Sequence, residues 1–269
     1  MSLIQHDQLA SLVPEILRIA AEAGEKILEV YNTDFTVKNK EDNSPLTAAD
    51  MAAHKHICHR LKALTPETPI LSEESASIPY EERKSWQQYW LVDPLDGTRE
   101  FIKRNGEFTV NIALIEGDRS ILGVIYIPVT AEGYSASLGS GARKHDSQGN
   151  SVSIQVAKTS DETITVAGSR SHGNERLKEF IASLDDPEVL SIGSSMKFCL
   201  VAEGKADIYP RFGPTSEWDT AAAQCIVEEA GGIVVDTGFN RLRYNTKESL
   251  LNPPFLVIAD PGFNWQQYL

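Results

Sequence analysis

The first part of the chain carries hydrophobic residues at a helical period. Between residues 9 and 31 they recur every three or four positions, which predicts an amphipathic helix, and Pro14 is expected in its first turn. The segment TAADMAAHKHICHRLKAL, which begins at Thr47, predicts a second helix, and Thr47-x-x-Asp50 resembles a capping box. Two helices are therefore expected ahead of the strands.

From about residue 89 onward the pattern is typical of strands. The runs FTVNIALI (108–115) and ILGVIYIPV (121–129) are rich in β-branched residues and flank the turn EGDRS, which predicts an antiparallel pair. Further strands and turns are expected between Gly133 and Val156.

After about residue 160 strands and helices alternate, in the order TITVAGS, NERLKEFIASL, VLSIGSS, MKFCLVAEG, DIYPRF, WDTAAAQCIVEEAGG, GIVVD and FLVIAD. An antiparallel first half followed by an alternating second half predicts an α/β protein, built as a layered αβαβα (α+β) sandwich. We expect an antiparallel-sheet N-terminal subdomain over residues 1–157 and a mixed-sheet α/β C-terminal subdomain over residues 158–269.

The composition of the 269 residues, 41% apolar and 23% charged, is that of an ordinary globular protein, and no apolar run approaches the roughly 20 residues that span a bilayer. The net charge of −13 argues against a nucleic-acid polymer as partner, because such binding relies on Lys and Arg. A small anion is not excluded, but it then needs metal ions or a local basic cluster. Cys58, Cys199 and Cys225 form no metal motif, are expected to be buried thiols, and favour a cytoplasmic location.

Candidate chemistry comes from acidic residues at the ends of predicted elements. In WLVDPLDGTREF (90–101), Asp93 and Asp96 follow a strand-like run and enter a turn favoured by Pro94 and Gly97. Carboxylates grouped in this way bind hard divalent cations such as Mg²⁺, although D-x-x-D-G alone is more often a plain turn.

Further acidic residues also have an ordinary structural interpretation. Glu73 and Glu74 could lie in a solvated loop, while Asp50 and Asp219 could be helix caps. The residues alone therefore leave a metal site and ordinary turns both open.

Longer motifs carry more information. DPLDGTREFIKRNGEFTVNIALI, with SEE upstream and WDTAAAQCIVEEAGG downstream, resembles the inositol monophosphatase superfamily. NSPLTAAD, LSEES, SIGSSMKFCLVAEGKADIYPRFGPTSEWDTAAA and SLLNPPF extend the resemblance over nearly the whole chain, and it is strongest to the CysQ-type 3'(2'),5'-bisphosphate nucleotidases. General inositol phosphatases share the acidic motifs but not EFIKRNGEFTVNIAL or GSSMKFCLVAEG.

The resemblance implies a phosphatase that removes the 3'-phosphate of adenosine 3',5'-bisphosphate (PAP), giving AMP, and that also acts on the phosphosulfate PAPS in sulfur assimilation. It implies two or three Mg²⁺ ions, with Mn²⁺ as a substitute and Li⁺ and Ca²⁺ as inhibitors. Glu73 and Thr98, beside Asp96, would activate the attacking water. The implied metal ligands are Glu73, Asp93, the carbonyl of Leu95, Asp96, Asp219 and, at a weaker position, Asp50.

Two phosphate sites are expected. Gly97 and Thr98 are predicted to open a helix whose backbone N–H groups face the phosphate that is cleaved. The GSSMK motif is predicted to open another helix beside the second phosphate, which a monophosphatase would not need. By resemblance, Tyr209 packs near the base or ribose, and Arg99 replaces the Lys or Thr of many relatives. The implied substrate-binding residues are Gly97, Thr98, Ser194, Ser195, Lys197, Tyr209, Arg211 and Asp219.

Three other functions are compatible with part of the sequence. Phosphoaspartyl phosphatases also have D-G-T after a strand, but they need D-x-D, and Pro94 stands two positions before Asp96. An inositol monophosphatase-like or fructose-1,6-bisphosphatase-like sugar phosphatase is the main alternative, and a non-catalytic nucleotide sensor is disfavoured by the complete acidic set. The oligomeric state stays open. Peripheral association with the cytoplasmic face of the inner membrane, known among relatives, has no lipid-binding pattern to support it.

Overall fold

The computed structural model describes residues 3–33, 45–160, 163–169 and 175–269, which form two β-sheets and the helices around them. The first sheet contains β1 (Ile70–Ser72), β2 (Gln88–Asp96), β3 (Thr109–Glu116), β4 (Arg119–Ile127), β5 (Glu132–Ser137), β6 (Ala142–His145) and β7 (Ser151–Ile154). The second sheet contains β8 (Thr165–Ser169), β9 (Glu188–Ile192), β10 (Ile208–Arg211), β11 (Ile233–Asp236) and β12 (Phe255–Ile258).

The described helices are α1 (His6–Tyr31), α2 (Pro45–Leu64), α3 (Tyr80–Arg83), α4 (Thr98–Lys103), α5 (Glu175–Ala182), α6 (Met196–Ala202) and α7 (Glu217–Glu229), with short 3-10 helices at Glu73–Ser75 and Trp265–Tyr268. None of these helices is both long enough and apolar enough to cross a membrane.

The first sheet follows the chain from β1 to β7, and each strand pairs with the next. β1 and β2 are parallel and the other neighbours are antiparallel, so the predicted β3–β4 pair is confirmed. Apolar residues fill β2, β3 and β4 because α1 and α2 cover one face and α7 covers the other. Trp90 and Val92 of β2 pack with α1 and α2, while Leu91 between them packs on the α7 side.

The second sheet has the order β11-β12-β10-β8-β9 and mixed strand directions. β8 lies parallel to β9 and β10, while β12 is antiparallel to β10 and β11. One face packs with α6 and α7 against the first sheet, and the other face packs with α5. The layers therefore run helix, sheet, helix, sheet, helix, and the predicted αβαβα sandwich is confirmed.

The start of α1 differs from the prediction. The helix begins at His6, so Pro14 lies inside it and not in its first turn. Pro14 has no N–H for the carbonyl of Ala10, but both residues are exposed, so water can hydrate that carbonyl.

The start of α2 also differs. The helix begins at Pro45, and proline favours the first helical position because its missing N–H would have no partner there. Thr47 and Asp50 therefore lie within the helix, and the predicted capping box at these residues is wrong. Residues 43 and 44 of the NSPLTAAD motif lie outside the described residues, as does residue 174, at which the next predicted helix begins.

Two of the three cysteines are buried, as predicted. Cys199 and Cys225 lie in the core, but Cys58 of α2 is only half-buried, with its Sγ 3.6 Å from Nδ1 of His54. Burial raises the pKa of Cys58 to about 11, so its thiol is not activated as a nucleophile.

Gly123 of β4 allows α7 to approach the first sheet at close range. A Cβ at this position would lie 2.2 Å from the carbonyl oxygen of Ala222 in α7. Because backbone atoms on both sides are fixed by their own hydrogen bonds, a larger residue would push the helix away from the sheet.

We expect Gly123→Ala to lower the free energy of unfolding by about 3 kcal/mol, the upper range for overpacking a core. Urea denaturation followed by circular dichroism measures the change. Gly168→Ala in β8 is the matched control, since the nearest atom to its Cβ would belong to the side chain of Val189, at 3.2 Å, and the nearest backbone atom would lie at 3.9 Å. Equal losses in the two variants would contradict the close-contact argument.

Candidate active site

One cavity opens where the two sheets approach each other. Its volume is about 280 Å³, and its lining comes from β2, α4, the β9–α6 connection, β10 and the start of α7. Every site residue predicted from the sequence lines this cavity, except Asp50. The structure therefore brings together side chains that are far apart along the chain.

The turn after β2 places two carboxylates in the cavity wall. The β2–β3 pairing is irregular between Asp93 and Asp96, because the chain bulges there. The N–H of Leu95 donates to Oδ1 of Asp93 at 3.1 Å, which bends the backbone. Gly97 has a left-handed φ of 101°, and a Cβ there would lie 2.9 Å from the carbonyl oxygen of Glu107. Glycine is therefore required at the point where α4 begins.

Asp219 reaches the same cavity from the start of α7. It is the third residue of that helix, and the N–H of Ser216 donates to its Oδ2 at 2.8 Å in a capping box. Asp219 is both a helix-start residue and a cavity residue, so the two interpretations left open by the sequence do not exclude each other.

Residues 245–252, which we call the clasp segment, hold the start of α7 from outside. The N–H of Asn252 donates to the carbonyl oxygen of Thr215 at 2.9 Å, and its Nδ2 donates to that of Ser216 at 2.7 Å. These bonds fix the two residues from which α7 departs.

A buried polar cluster anchors the other end of the clasp segment. The N–H of Asn245 donates to Oε2 of Glu217, the first residue of α7, at 2.8 Å. Arg83, which is 1% exposed, donates Nη1 to Oδ1 of Asn245 at 2.6 Å. The position of Asp219 therefore depends on contacts from two other parts of the chain, the clasp segment and Arg83.

Three carboxylates meet at one point of the cavity. Oxygen atoms of Asp93, Asp96 and Asp219 all lie within 4.8 Å of one another. Two unit charges at that separation repel by about 3.5 kcal/mol at an effective dielectric constant of about 20. Several carboxylate oxygens around one point are the ligands that Mg²⁺ prefers, so the donor set fits a hard divalent cation.

Burial raises the pKa of every carboxyl group in this set, and the neighbouring carboxylates add to the rise. The pKa of Asp219 rises to about 7 through burial and then through Asp96. Burial also raises the pKa of Glu73 to about 7, because protein surrounds its carboxyl group even though the side chain is exposed toward the cavity. The pKa values of Asp93 and Asp96 rise as well, again mainly through burial.

Asp50 adjoins this set from α2. Burial raises its pKa to about 8, and repulsion from Glu74 and then from Glu73 adds to the shift. Among the described residues, its buried Oδ1 has no hydrogen-bond partner. Asp50 therefore lies beside Glu73 and Glu74, and it is not one of the three aspartates whose oxygen atoms meet in the cavity.

Positive charge lines another part of the cavity. Lys197 is 5% exposed and donates Nζ to the carbonyl oxygen of Ser194 at 2.6 Å. Burial lowers its pKa to about 8, although the charge of Asp96 opposes the shift. Arg211 donates Nη2 to the carbonyl oxygen of Pro214 at 3.0 Å, and its buried Nε has no partner among the described residues. Lys197 is thus buried in the cavity wall and is not a solvated helix residue.

The two serines of the GSSMK motif differ in their surroundings. Ser194 has a left-handed φ of 46°, and its buried Oγ has no partner among the described residues. Ser195 uses its donors within the protein: its N–H donates to Oδ2 of Asp96 at 2.6 Å, and its Oγ donates to Oδ1 of Asn111 at 2.9 Å.

Tyr209 belongs to an aromatic cluster at the cavity. Its ring lies 5.3 Å from that of Phe198 and 5.9 Å from that of Phe255, both edge-to-face, and 5.2 Å from Nζ of Lys197. This part of the cavity therefore combines an apolar surface with a cation.

Four polar residues around the cavity were not predicted from the sequence. Glu100 lines it directly, and Oε2 of Glu107 accepts the N–H of Gly193 at 2.8 Å. Thr109 and Asn111 are buried polar residues within the otherwise apolar strand β3. The available signal was their polarity inside the run FTVNIALI, because a buried polar side chain needs partners.

Comparisons with known proteins give consistent results. The sequence model of the inositol monophosphatase family matches residues 9–260. The chain is 49% identical to the 3'(2'),5'-bisphosphate nucleotidase CysQ of Escherichia coli K12 over 248 residues, which covers 91% of this chain and 99% of that protein. It is 36% identical to the CysQ of Haemophilus influenzae over 256 residues, with 95% of each chain covered.

Solved structures agree with the sequence comparisons. CysQ from Bacteroides thetaiotaomicron, described as a bacterial member of the inositol monophosphatase family, is 43% identical with a TM-score of 0.84, covering 96% of this chain and 99% of that chain. An inositol monophosphatase from Zymomonas mobilis is 25% identical with a TM-score of 0.75, covering 93% and 94%.

Mg²⁺ should raise the melting temperature more at about pH 8 than at about pH 5.5. Because the folded pKa values of Glu73 and Asp219 are about 7, their contribution to stability without metal is present at low pH and is lost as the pH rises through 7. A cation that replaces these protons therefore stabilises most above that pH. At about 100 times its Kd we expect a rise of roughly 5 °C or more at the higher pH.

Differential scanning fluorimetry with and without Mg²⁺ measures the effect. Asp219→Asn is the control, since it removes one of the carboxyl groups with a raised pKa. The Mg²⁺-induced rise in melting temperature should then differ less between the two pH values. Equal shifts at both pH values in the unmodified protein would contradict the prediction.

Proposed function

Because the chain belongs to the inositol monophosphatase family, we propose that it is a metal-dependent 3'(2'),5'-bisphosphate nucleotidase, which removes the 3'-phosphate of PAP and releases AMP. One observation carries the proposal: a single cavity holds the carboxylates of Asp93, Asp96 and Asp219 together with the cations of Lys197 and Arg211. A nucleotide with two phosphates on one ribose needs two sets of partners. The names of the similar proteins support the same substrate.

Mg²⁺ is the cofactor that suits the carboxylate set. When bound, such ions polarise phosphate oxygens and lower the pKa of a coordinated water. We expect two or three ions, Mn²⁺ as a substitute, and inhibition by Li⁺ and Ca²⁺. The residues proposed to hold the ions are Glu73, Asp93, the carbonyl of Leu95, Asp96, Asp219 and, separately, Asp50.

Glu73 accepts the proton of the attacking water in this proposal. Its carboxyl group lines the cavity with Asp93 and Asp96, and a cation bound beside it would favour the charged form that a base requires. Thr98, the first residue of α4, is exposed to the cavity, and its hydroxyl group would orient the same water. The N–H groups that follow Gly97 would face the 3'-phosphate.

The 5'-phosphate is bound by the positively charged part of the cavity. Lys197 supplies a buried charge, and a phosphate beside it would favour the charged form of its side chain. Oγ of Ser194 and Nε of Arg211, which lack partners among the described residues, supply further donors. Tyr209 would pack near the base or ribose. An inositol monophosphate has no second phosphate for these groups, so they favour the nucleotidase over the sugar phosphatase.

Each half of the chain has its part in the proposal. Residues 1–157 form the subdomain with most metal ligands, and residues 158–269 form the subdomain with Asp219 and the nucleotide-binding residues. The substrate is a small molecule and not a nucleic-acid polymer, since the net charge is −13. PAPS is a second substrate, and the three free cysteines fit a cytoplasmic location.

Lys197→Met should separate substrates with and without a 5'-phosphate. We expect kcat/KM for PAP to fall roughly 10- to 100-fold, the effect of losing a hydrogen bond to a charged group, while that for adenosine 3'-monophosphate changes little. Steady-state phosphate release measures both. Lys158→Met is the control, because the Lys158 side chain is 87% exposed. Equal losses on both substrates would contradict a 5'-phosphate site at Lys197.

Glu73→Gln should lower kcat for PAP by roughly a hundredfold or more, because it removes the general base. Binding of AMP, followed by isothermal titration calorimetry, should persist. A substrate panel completes the test: inositol 1-phosphate turned over faster than PAP would favour the sugar phosphatase, and a Glu73→Gln variant with full activity would remove Glu73 from catalysis.

A further inference from the structure

Next to Asp96, a buried group of polar side chains connects the two halves of the structure. Thr109 and Asn111 belong to β3 of the first sheet, and Ser195 lies between β9 of the second sheet and α6. Their exposures are 0%, 1% and 2%. We call these three residues the polar trio.

The trio is joined by short contacts. Oγ1 of Thr109 donates to Oδ1 of Asn111 at 3.1 Å, and Oγ of Ser195 donates to the same oxygen at 2.9 Å. The two hydroxyl oxygens lie 2.8 Å apart. One amide oxygen therefore accepts from a hydroxyl group of the first sheet and from one of the β9–α6 connection.

These contacts fix the direction of the Asn111 amide. Since Oδ1 faces the two hydroxyl groups, Nδ2 faces the other side. Asn111 lies opposite Asp93 in the β2–β3 pairing, and Ser195, which binds its Oδ1, also binds Asp96. The reverse orientation would place Oδ1 beside a buried anion, which is unfavourable. Nδ2 nevertheless has no hydrogen bond of good geometry among the described residues, so a buried donor is available beside Asp96.

Ser195 holds the same carboxylate through its backbone. Its N–H donates to Oδ2 of Asp96 at 2.6 Å, and its hydroxyl group is fixed by Asn111. An ionised carboxylate can accept about four hydrogen bonds or metal contacts. Donors from Ser195 and Asn111 would use two of them and fix the plane of the group, while the others stay directed to the cavity.

We propose that Asn111 is a positioning residue for Asp96: it donates Nδ2–H to the Asp96 carboxylate, and Thr109 and Ser195 hold its amide in the orientation that this requires. The inference rests on the proposed function only in taking Asp96 as a metal ligand. Carboxylates that bind metals are themselves hydrogen-bonded by neighbours, and loss of such a neighbour lowers metal affinity or activity roughly 10- to 100-fold.

This assignment changes the expected role of Ser195. Its N–H and hydroxyl group are both used within the protein, so neither is available for the 5'-phosphate. The substrate-binding role expected for this residue passes to Ser194, Lys197 and Arg211.

Asn111→Leu tests the proposal, because it removes the amide at similar volume. We expect the affinity for Mn²⁺, measured by isothermal titration calorimetry, to fall roughly 10- to 100-fold. The melting temperature in a chelator should also fall, because the buried hydroxyl groups of Thr109 and Ser195 lose their acceptor, so the Mn²⁺ affinity is the measurement that separates the two roles. A merely structural role would lower the melting temperature and leave the Mn²⁺ affinity unchanged.

Two variant pairs test how the amide is held. Thr109→Val should weaken Mn²⁺ binding, whereas Thr109→Ser keeps the hydroxyl group and should restore it. Ser195→Ala should weaken binding alone but add nothing to Asn111→Leu, since its hydroxyl group acts through the amide. Ser137→Ala, at a buried serine of β5 that is 1% exposed, should bind Mn²⁺ like the unmodified protein.

An unchanged Mn²⁺ affinity in Asn111→Leu would overturn the inference, as would additive losses for Ser195→Ala and Asn111→Leu. Either result in an enzyme that hydrolyses PAP would leave the proposed function standing. A protein that binds Mn²⁺ through this network but releases no phosphate from PAP would instead overturn the proposed function and support the positioning role.

Discussion

Electrostatic repulsion among buried carboxylates is the constraint on which the rest of the structure depends. Asp93, Asp96 and Asp219 would separate if their backbones were free, yet their oxygen atoms lie within 4.8 Å of one another. The large apolar contacts of the sandwich supply the opposing free energy, because they fix the first sheet and α7 against each other, at closest range at Gly123 of β4. The repulsion that remains is relieved either by protons or by cations, so the stability of the fold depends on both the pH and the concentration of metal ions.

The same repulsion explains why backbone N–H groups of the second half of the chain donate to acidic residues of the first half. Ser195 gives its N–H to Asp96, and Gly193 gives its N–H to Glu107, so a segment of the second half neutralises acidic groups of the first. Buried Lys197 adds a full charge beside them. An acidic protein can in this way present a cationic surface to a phosphate without becoming basic as a whole.

Much of the fold could be predicted from the sequence, because the strand pattern of 108–129 and the later alternation of strands and helices both report burial directly. The start of α1 was less predictable, because Pro14 could lie in the first turn of the helix or inside it. An internal position is tolerated because Pro14 and Ala10 are exposed, so water can hydrate the carbonyl of Ala10. The carboxylates of the site required long motifs, because D-x-x-D-G describes a turn whether or not a metal binds. Asn111 could not be assigned, since its partner Ser195 is adjacent only in the folded protein.

The clasp segment determines when the cavity can be completed during synthesis. A ribosome releases the chain from its N-terminus at roughly 5–20 residues per second, and the first sheet emerges with Asp93 and Asp96 long before Asp219. Even then the start of α7 lacks its anchors until Asn252 has followed. The acidic residues of the first half therefore leave the ribosome before their partners in the second half, and the full benefit of a bound cation reaches the protein only after translation has passed the clasp segment.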